Sequence, residues 1–249
     1  MICAGETTPD GAPVTLDADP TAASLPTATF DFTLANGADR RFMTNFYDWA
    51  VRKYVDGRWY RIAPQLVPVP LMTLDPGASH TWRLSVDNTS LGEPSGRLEA
   101  TDEIGIAGLG GGEYAFTAAG WFEEEDDEQT GLAARFTLSG GPIELVPTNE
   151  VIETSREGDT VVVHTNVDPE GGRSAAFVLE RADEEPDRTL IAERAFRDRK
   201  LRNTLPYFEA GVETVRLEEP TRTTPAFGVQ APYVVGYEGE SFRVRAEEL

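Results

Sequence analysis

Apolar and polar residues alternate along several short segments in the first half of the chain. Apolar side chains recur at every second position from residue 28 to the turn Asn36-Gly37, and again over residues 82–86. A period of two predicts half-buried antiparallel strands, because successive side chains of a strand point to opposite faces of the sheet. The alternating apolar residues are Ala28, Phe30, Phe32, Leu34, Trp82, Leu84, Val86, Leu132, Ala134, Phe136 and Leu138. Six or more short strands separated by turns predict a β-sandwich.

A hairpin is predicted within residues 45–62. Asp56-Gly57 separates two segments rich in aromatic and β-branched residues, and this dipeptide suits a two-residue turn in which both residues take a positive φ. A helix over residues 47–54 is the competing interpretation. The continuation Arg58-Trp59-Tyr60 directly after the turn argues against that helix.

The second half of the chain shows the same β pattern with one candidate helix. Alternation predicts strands near residues 159–164, 175–180, 212–217, 233–237 and 242–244, whereas residues 189–208 have an imperfect helical spacing that must end near Pro206. The pattern pauses around Pro147-Thr148-Asn149. We therefore expect a flexible polar tether over residues 1–25, in which Val14 and Leu16 could pair on a sheet edge. A β-sandwich over residues 26–147 and a second β-rich domain with one helix over residues 148–249 are expected to follow.

The order of motifs in the first half carries a family resemblance. The motifs are Phe30-x-Phe32-x-Leu34-x-Asn36, Val55-Asp56-Gly57-Arg58-Trp59-Tyr60, Leu74-x-Pro76-Gly77-x-Ser79 and Gly112-Glu113-Tyr114-x-Phe116. Over about residues 27–140 the chain resembles the immunoglobulin-like domains of bacterial and archaeal surface lipoproteins. The resemblance implies an immunoglobulin-like sandwich, similar to that of the intracellular proteinase inhibitors of bacilli, but no inhibitory loop transfers with it. The second half resembles no family that we recognise.

Charge indicates the environment in which the chain works. It carries 43 acidic and 22 basic residues, for a net charge of -21, which disfavours nucleic acid and anionic lipid as partners because both would be repelled. Lys53 and Lys200 are the only lysines. An excess of carboxylates with so little lysine resembles the proteins of salt-loving archaea, in which concentrated salt screens self-repulsion. The alternative is an ordinary acidic protein from a GC-rich genome.

Cys3 is the only cysteine, so no disulfide can form within the chain. Small residues and a polar run follow it, as at the start of a mature lipoprotein whose cysteine carries the lipid. The alternative is an unmodified cysteine in a disordered terminus. No apolar stretch approaches the roughly 20 residues of a transmembrane helix. Lipid attachment at Cys3, on the cell surface or outside the cell, is therefore the expected location, and the cytoplasm is the alternative.

No catalytic, cofactor-binding or metal-binding set is predicted. The glycine-rich residues 105–112 precede a strand and lack the Gly-Lys-Ser/Thr ending of a phosphate loop, so we interpret them as a hairpin loop. His80 and His164, the only histidines, have no partners at ligand or triad spacing. The acidic run at residues 123–128 lacks the alternating ligands of a calcium loop and is interpreted as a solvated loop. The basic stretch at residues 194–202 is interpreted as a helix face with local ion pairs, with docking of an acidic partner as the alternative.

Aromatic residues around the predicted hairpin form the remaining candidate site. Tyr47, Trp49, Trp59 and Tyr60 could provide a ligand platform, although alternation puts at least half of them in the core. The sequence therefore favours a non-enzymatic binding or structural protein at the surface of a halophile, with another surface protein as its partner. A proteinase inhibitor or regulator with the same sandwich is the second hypothesis.

Overall fold

A computed structural model describes residues 13–65, 67–94, 102–123 and 129–249. The chain is mostly β, with 53% of residues in strands and 7% in helices, which confirms the predicted fold class. It divides into two compact units: Met1–Thr89 with Gly96–Ile143, and Ser90–Ser95 with Glu144–Leu249. Cys3 and residues 124–128 of the acidic run lie outside the described residues. No helix in the described ranges is long and apolar enough to cross a membrane.

The first unit contains two β-sheets. Its strands are β1 (Val14–Asp19), β2 (Ala22–Ser24), β3 (Thr27–Asn36), β4 (Phe42–Thr44), β5 (Ala50–Val55), β6 (Arg58–Ala63), β7 (Met72–Leu74), β8 (Ser79–Asp87), β9 (Glu103–Ile106), β10 (Gly112–Phe122) and β11 (Thr130–Ser139). One sheet has the order β1-β3-β8-β9. The other has the order β2-β11-β10-β4-β7. The hairpin β5–β6 belongs to this sheet too, because β5 pairs with β10.

Aromatic side chains fill the space between these two sheets. Phe32 of β3 stacks on Phe116 of β10 with ring centroids 4.3 Å apart, and Trp49 stacks on Phe116 at 5.7 Å. The Tyr114 hydroxyl donates a hydrogen bond of 2.6 Å to the carbonyl oxygen of Gly110. Phe32, Trp49, Tyr114 and Phe116 are completely buried, and burial of an aromatic side chain of this kind contributes roughly 1.5–3 kcal/mol. The alternating apolar positions of the sequence therefore form one sandwich core.

The segment predicted to be a tether is partly built into this sandwich. Residues 14–19 pair with β3 as β1, and residues 22–24 pair with β11 as β2. Val14 and Leu16 are each 2% exposed, because their alternate positions face the core beside the apolar positions of β3. The turn residues of this segment thus separate two strands.

The glycine-rich residues 105–112 do not form a hairpin loop. Strand β9 pairs with β8 in the four-stranded sheet, whereas β10 belongs to the other sheet, so the segment between them crosses from one sheet to the other. Asn88 fixes this crossing. Its side chain donates to the Leu109 carbonyl oxygen at 2.7 Å and accepts from the Gly108 N–H at 2.8 Å. The prediction failed because Gly105 is a strand residue between the buried Ile104 and Ile106.

The second unit is built on one seven-stranded sheet. Its strands are β12 (Val151–Glu157), β13 (Thr160–Thr165), β14 (Arg173–Ala182), β15 (Arg188–Leu190), β16 (Thr214–Thr221), β17 (Tyr233–Tyr237) and β18 (Glu240–Glu248). The sheet order is β12-β13-β16-β14-β18-β17-β15, with parallel pairing of β13 to β16 and of β15 to β17. Buried apolar side chains of the sheet form one cluster with Ala195, Leu201 and Leu205 of the helical segment.

The helical segment predicted within residues 189–208 is divided into short pieces. These are α1 (Ala192–Arg197), α2 (Arg199–Arg202) and a 3₁₀ turn (Leu205–Tyr207); a second 3₁₀ turn is Ala226–Gly228. Asp198 has an extended backbone between α1 and α2, and its side chain accepts hydrogen bonds from the N–H groups of Lys200 and Leu201. An aspartate that caps α2 in this way ends α1.

Candidate binding surface

The hairpin β5–β6 displays an aromatic pair on the outer face of its sheet. Asp56 and Gly57 form the turn with φ of 48° and 81°, the positive values that the Asp-Gly dipeptide predicts. Tyr54 and Trp59 are directly opposite each other across the hairpin, with ring centroids 5.1 Å apart. The same alternation that buries Val51 thus turns Tyr54 and Trp59 toward the solvent side, and both are partly exposed.

Three arginines form a row across the same outer face. Arg61 of β6 pairs in register with Arg52 of β5, which pairs with Ala115 of β10, which in turn pairs with Arg135 of β11. The guanidinium carbon of Arg135 lies 5.7 Å from the centroid of the Trp59 ring, within the range of a cation–π contact. We call Arg52, Tyr54, Trp59, Arg61 and Arg135 the arginine–tryptophan face.

Two nitrogen atoms of this face are buried without a hydrogen-bond partner. They are Nε of Arg52 and Nε1 of Trp59, and a buried donor without an acceptor costs about 1–3 kcal/mol. Burial lowers the pKa of Arg52, the charge of Arg61 lowers it further, and Asp48 partly opposes both. Like charges directly opposite each other on a sheet are also destabilising. The face therefore holds positive charge and donor groups that the described residues leave unmatched.

Several arginines elsewhere in the chain are paired with carboxylates. Arg83, on the four-stranded sheet, makes two hydrogen bonds to Asp31 at 2.8 and 2.9 Å. On the second unit's sheet, Arg216 lies 2.7 Å from Glu247 and 3.2 Å from Glu218. Further pairs are Arg173 with Glu248 and Arg243 with Glu184. In contrast, no ion pair joins Arg52, Arg61 or Arg135 to any described carboxylate, although Glu113 lies on the same face by alternation.

Neither histidine belongs to a catalytic arrangement among the described residues. His80 lies on β8, stacks on Phe46 at 3.8 Å and contacts the edge of Trp82 at 4.5 Å. Its Nε2 lies 3.1 Å from a carboxylate oxygen of Asp102, but no hydroxyl or thiol group donates to it. Burial lowers the pKa of His80, and Asp102 only partly opposes this. His164 lies on β13, and no group of three metal-ligating side chains occurs in the described ranges.

The basic stretch at residues 194–202 is divided between two short helices and does not form one helix face. Arg199 instead pairs with Glu219 and Glu150, which are remote in sequence. Arg202 is completely buried and donates to backbone carbonyl oxygens. These partners come from the sheet and the connecting segments that pack against α2. The spacing of residues within the helical segment cannot predict them, because they are remote in sequence. The stretch is therefore engaged within the second unit.

Of the four aromatic residues predicted near the hairpin, Trp49 is buried and Tyr47, Trp59 and Tyr60 are partly exposed, so fewer lie in the core than alternation predicted. Trp49 is completely buried in the core, whereas Trp59 lies on the outer face. The arginines of the face were missed because they come from three separate strands. Alternation within β5 could have indicated part of the face, because Arg52 and Tyr54 alternate with the buried Val51 and Lys53 and so lie on the opposite side of the strand. Which arginines then meet depends on the strand register, including the bulge between Val51 and Arg52.

Comparisons with known proteins do not identify the chain. No model of a protein family matches it, and no curated protein matches it. Among solved structures, it resembles the alkylpurine DNA glycosylase AlkC of Pseudomonas fluorescens, bound to DNA containing an abasic site analogue, with 18% identity and a TM-score of 0.27 over 52% of this chain and 31% of that one. It also resembles PapD-like domain 7 of human CEP192, with 17% identity and a TM-score of 0.27 over 58% of this chain and 94% of that domain. Scores this low carry no argument about function.

Proposed function

We propose that this chain is a non-catalytic binding protein whose first unit is an immunoglobulin-type sandwich. Immunoglobulin domains join two facing strands by a disulfide, pack a tryptophan against it, and place a tyrosine two residues before the second cysteine that bonds back to the backbone. Here the stacked pair Phe32 and Phe116 faces across the core, Trp49 packs on Phe116, and Tyr114 bonds to Gly110. These contacts support the proposal because the Phe32–Phe116 stack takes the place of the disulfide, and Trp49 and Tyr114 are arranged around it as the tryptophan and tyrosine are in immunoglobulin domains.

The ligand that we propose carries carboxylates and binds to the arginine–tryptophan face. The single observation that carries this is the row of Arg61, Arg52 and Arg135, which no described carboxylate pairs, in a chain with a net charge of -21. Arginine binds a carboxylate through two parallel hydrogen bonds, and tryptophan, tyrosine and arginine are the residues enriched at binding hot spots. This row therefore places three arginines without an ion pair to a described carboxylate on one face of the sheet.

The location that we propose is the cell surface of a halophile, with lipid attachment at Cys3. The composition supports the saline environment, and the polar run after Cys3 supports the anchor. Recovery of the genomic sequence upstream of Met1 tests the anchor: a signal peptide with a lipoprotein cleavage site should precede Cys3. A start codon at Met1 in the gene would remove this part of the proposal.

A titration of the full chain with carboxylate polymers tests the binding proposal. The probes are poly-L-glutamate and alginate, with poly-L-lysine as the opposite charge, at the lowest KCl concentration that keeps the protein folded. We expect both acidic polymers to change the tryptophan fluorescence and to bind at least tenfold more weakly to Arg61→Gln and Arg135→Gln. Arg83→Gln, on the opposite sheet, is the matched control and should bind normally. Equal binding by all variants would show that the face is not the site.

Proteinase inhibition is a second candidate function. One observation favours it: the connection between β6 and β7 exposes Val69 by 93% and Leu71 by 60%, and Asn45 holds it by donating to the Pro68 carbonyl oxygen at 2.7 Å. An exposed, anchored segment with apolar side chains suits the active-site cleft of a proteinase. Titration of common serine proteinases in concentrated KCl tests this, with Leu71→Asp as the variant that should lose inhibition. No inhibition by the parent protein would eliminate the candidate.

A further inference from the structure

Strand β6 is the edge of the sheet that carries the arginine–tryptophan face. It pairs with β5 along one side, and no described strand pairs with its other side. An edge strand presents unpaired N–H and C=O groups, which form a template for another strand. Six residues at about 3.3 Å each give this edge a length of roughly 20 Å.

The side chains of β6 select which strand can pair there. Arg58 and Arg61 are exposed, Trp59 and Tyr60 are partly exposed, and the strand contains no acidic residue. Charged edge residues normally prevent pairing between copies of one protein. An arginine-bearing edge repels a second arginine-bearing edge in the same way, but it attracts a strand that carries carboxylates. The sequence of β6 is therefore selective rather than closed to all strands.

We infer that the outer edge of β6 binds an extended acidic segment of a partner protein by β-strand addition. The inference rests on the proposed function and specifies its ligand. In strand addition, main-chain hydrogen bonds supply affinity and alternate side chains supply specificity. Carboxylates at every second position of the added strand would lie beside Trp59 and Arg61 on the outer face. The intervening side chains would lie beside Arg58 and Tyr60.

The row of arginines continues from this edge into the sheet. Arg61 is the outermost member, and Arg52 and Arg135 follow it across β5 and β11. Long acidic side chains of an added strand could therefore meet Arg61 directly and reach toward Arg52, which is partly exposed.

Peptides of identical charge separate strand addition from simple anion binding. The probe is a fluorescent heptapeptide, Thr-Glu-Val-Glu-Val-Glu-Thr, measured by anisotropy on the full chain. Two further peptides carry N-methyl groups on alternate backbone nitrogens, one on the odd set and one on the even set. Only one set faces β6 in an added strand. We therefore expect one methylated peptide to bind at least tenfold more weakly and the other to bind like the parent.

Protein variants and amide exchange complete the test. Arg61→Gln should weaken binding of the parent peptide by about tenfold, whereas Arg83→Gln should not; the melting temperature of each variant verifies its fold. The backbone amides of residues 58–63 that point away from β5 should gain protection from hydrogen exchange when the peptide binds. Equal binding of both methylated peptides would overturn strand addition and leave anion binding intact. If alginate binds and none of the peptides does, strand addition is likewise overturned and anion binding stands. If no acidic probe binds, the proposed function is removed as well.

Discussion

Replacement of Arg202 tests whether one buried guanidinium holds residues 90–94 within the second unit. Arg202 is completely buried. Its Nε donates to the Val146 carbonyl oxygen at 2.9 Å, one terminal nitrogen donates to Glu93 at 3.0 Å, and the other donates to Leu91. The guanidinium carbon also lies 3.9 Å from the ring centroid of Phe196. Three backbone carbonyl groups of two remote segments thus depend on one side chain.

The structure sets the magnitude of the expected loss. A hydrogen bond to a charged group contributes about 1.5–3 kcal/mol, so three would give about 4.5–9 kcal/mol if nothing opposed them. Burial opposes them: it lowers the pKa of Arg202, and the charge of Glu150 only partly offsets this. Removing one partner from a buried charged network costs about 3–5 kcal/mol. We expect this loss of unfolding free energy for Arg202→Ala, and about 2 kcal/mol for Arg202→Lys, whose ammonium cannot reach all three oxygens in the guanidinium geometry.

Urea unfolding at constant KCl concentration measures this loss. All four tryptophans lie in the first unit, so their fluorescence follows that unit while far-UV circular dichroism follows both. Arg202→Ala should shift the dichroism transition and increase amide exchange over residues 90–94. Arg194→Ala, at an exposed position of α1, is the matched control and should change stability by less than about 0.5 kcal/mol. A loss below about 1 kcal/mol for Arg202→Ala, with unchanged exchange, would refute the reasoning.

Two further predictions concern charge. Because the net charge is -21, molar KCl should raise the thermal unfolding midpoint by on the order of 10 °C relative to dilute buffer, since salt screens repulsion among carboxylates. A midpoint that does not change with salt would contradict a halophilic origin. The lowered pKa of His80 means that protonation favours the unfolded state, where histidine titrates near about 6.5. The stability due to neutral His80 is therefore complete above that pH and is lost as the pH falls through the lower folded pKa. His80→Phe, which keeps the ring stack, should lose less stability than the parent between pH 7 and 5 in parallel melts.

Alternation in the sequence predicts the strands that carry the core, because their side chains are sorted between core and solvent. Phe30, Phe32 and Leu34 of β3 and Trp82 and Leu84 of β8 are all buried, as their spacing predicts. The short strands β2, β4, β7 and β15 have three residues each. Three residues cannot display a period, and these strands exist because a neighbouring strand offers hydrogen bonds. Their positions follow from tertiary structure and not from local pattern.

The candidate surface is harder to predict than the core, because its residues are joined by register alone. The Asp56-Gly57 turn correctly predicts the hairpin, and hence that Tyr54 is opposite Trp59. Nothing in the sequence around Arg135 indicates that β11 and β5 both pair with β10. The separation of two sheets after β9 was likewise hidden, since Gly105 and its neighbours look like a loop in composition. The sequence pattern therefore predicts which side chains share a face within one strand, whereas the pairing of strands in the fold determines which residues of different strands become neighbours.

In the saline environment that we propose, the combination of arginine with aromatic rings has a physical reason. At molar ionic strength the Debye length is about 3 Å, so long-range attraction between a cationic surface and an acidic partner is screened. Contact hydrogen bonds and stacking persist at that range, and the planar guanidinium supplies both, whereas the ammonium of lysine supplies a hydrated point charge. The same screening removes the repulsion that the remaining acidic surface would exert on an acidic partner. We therefore expect a face made of arginine, tryptophan and tyrosine to discriminate by contact geometry, which is the property that strand addition along β6 requires.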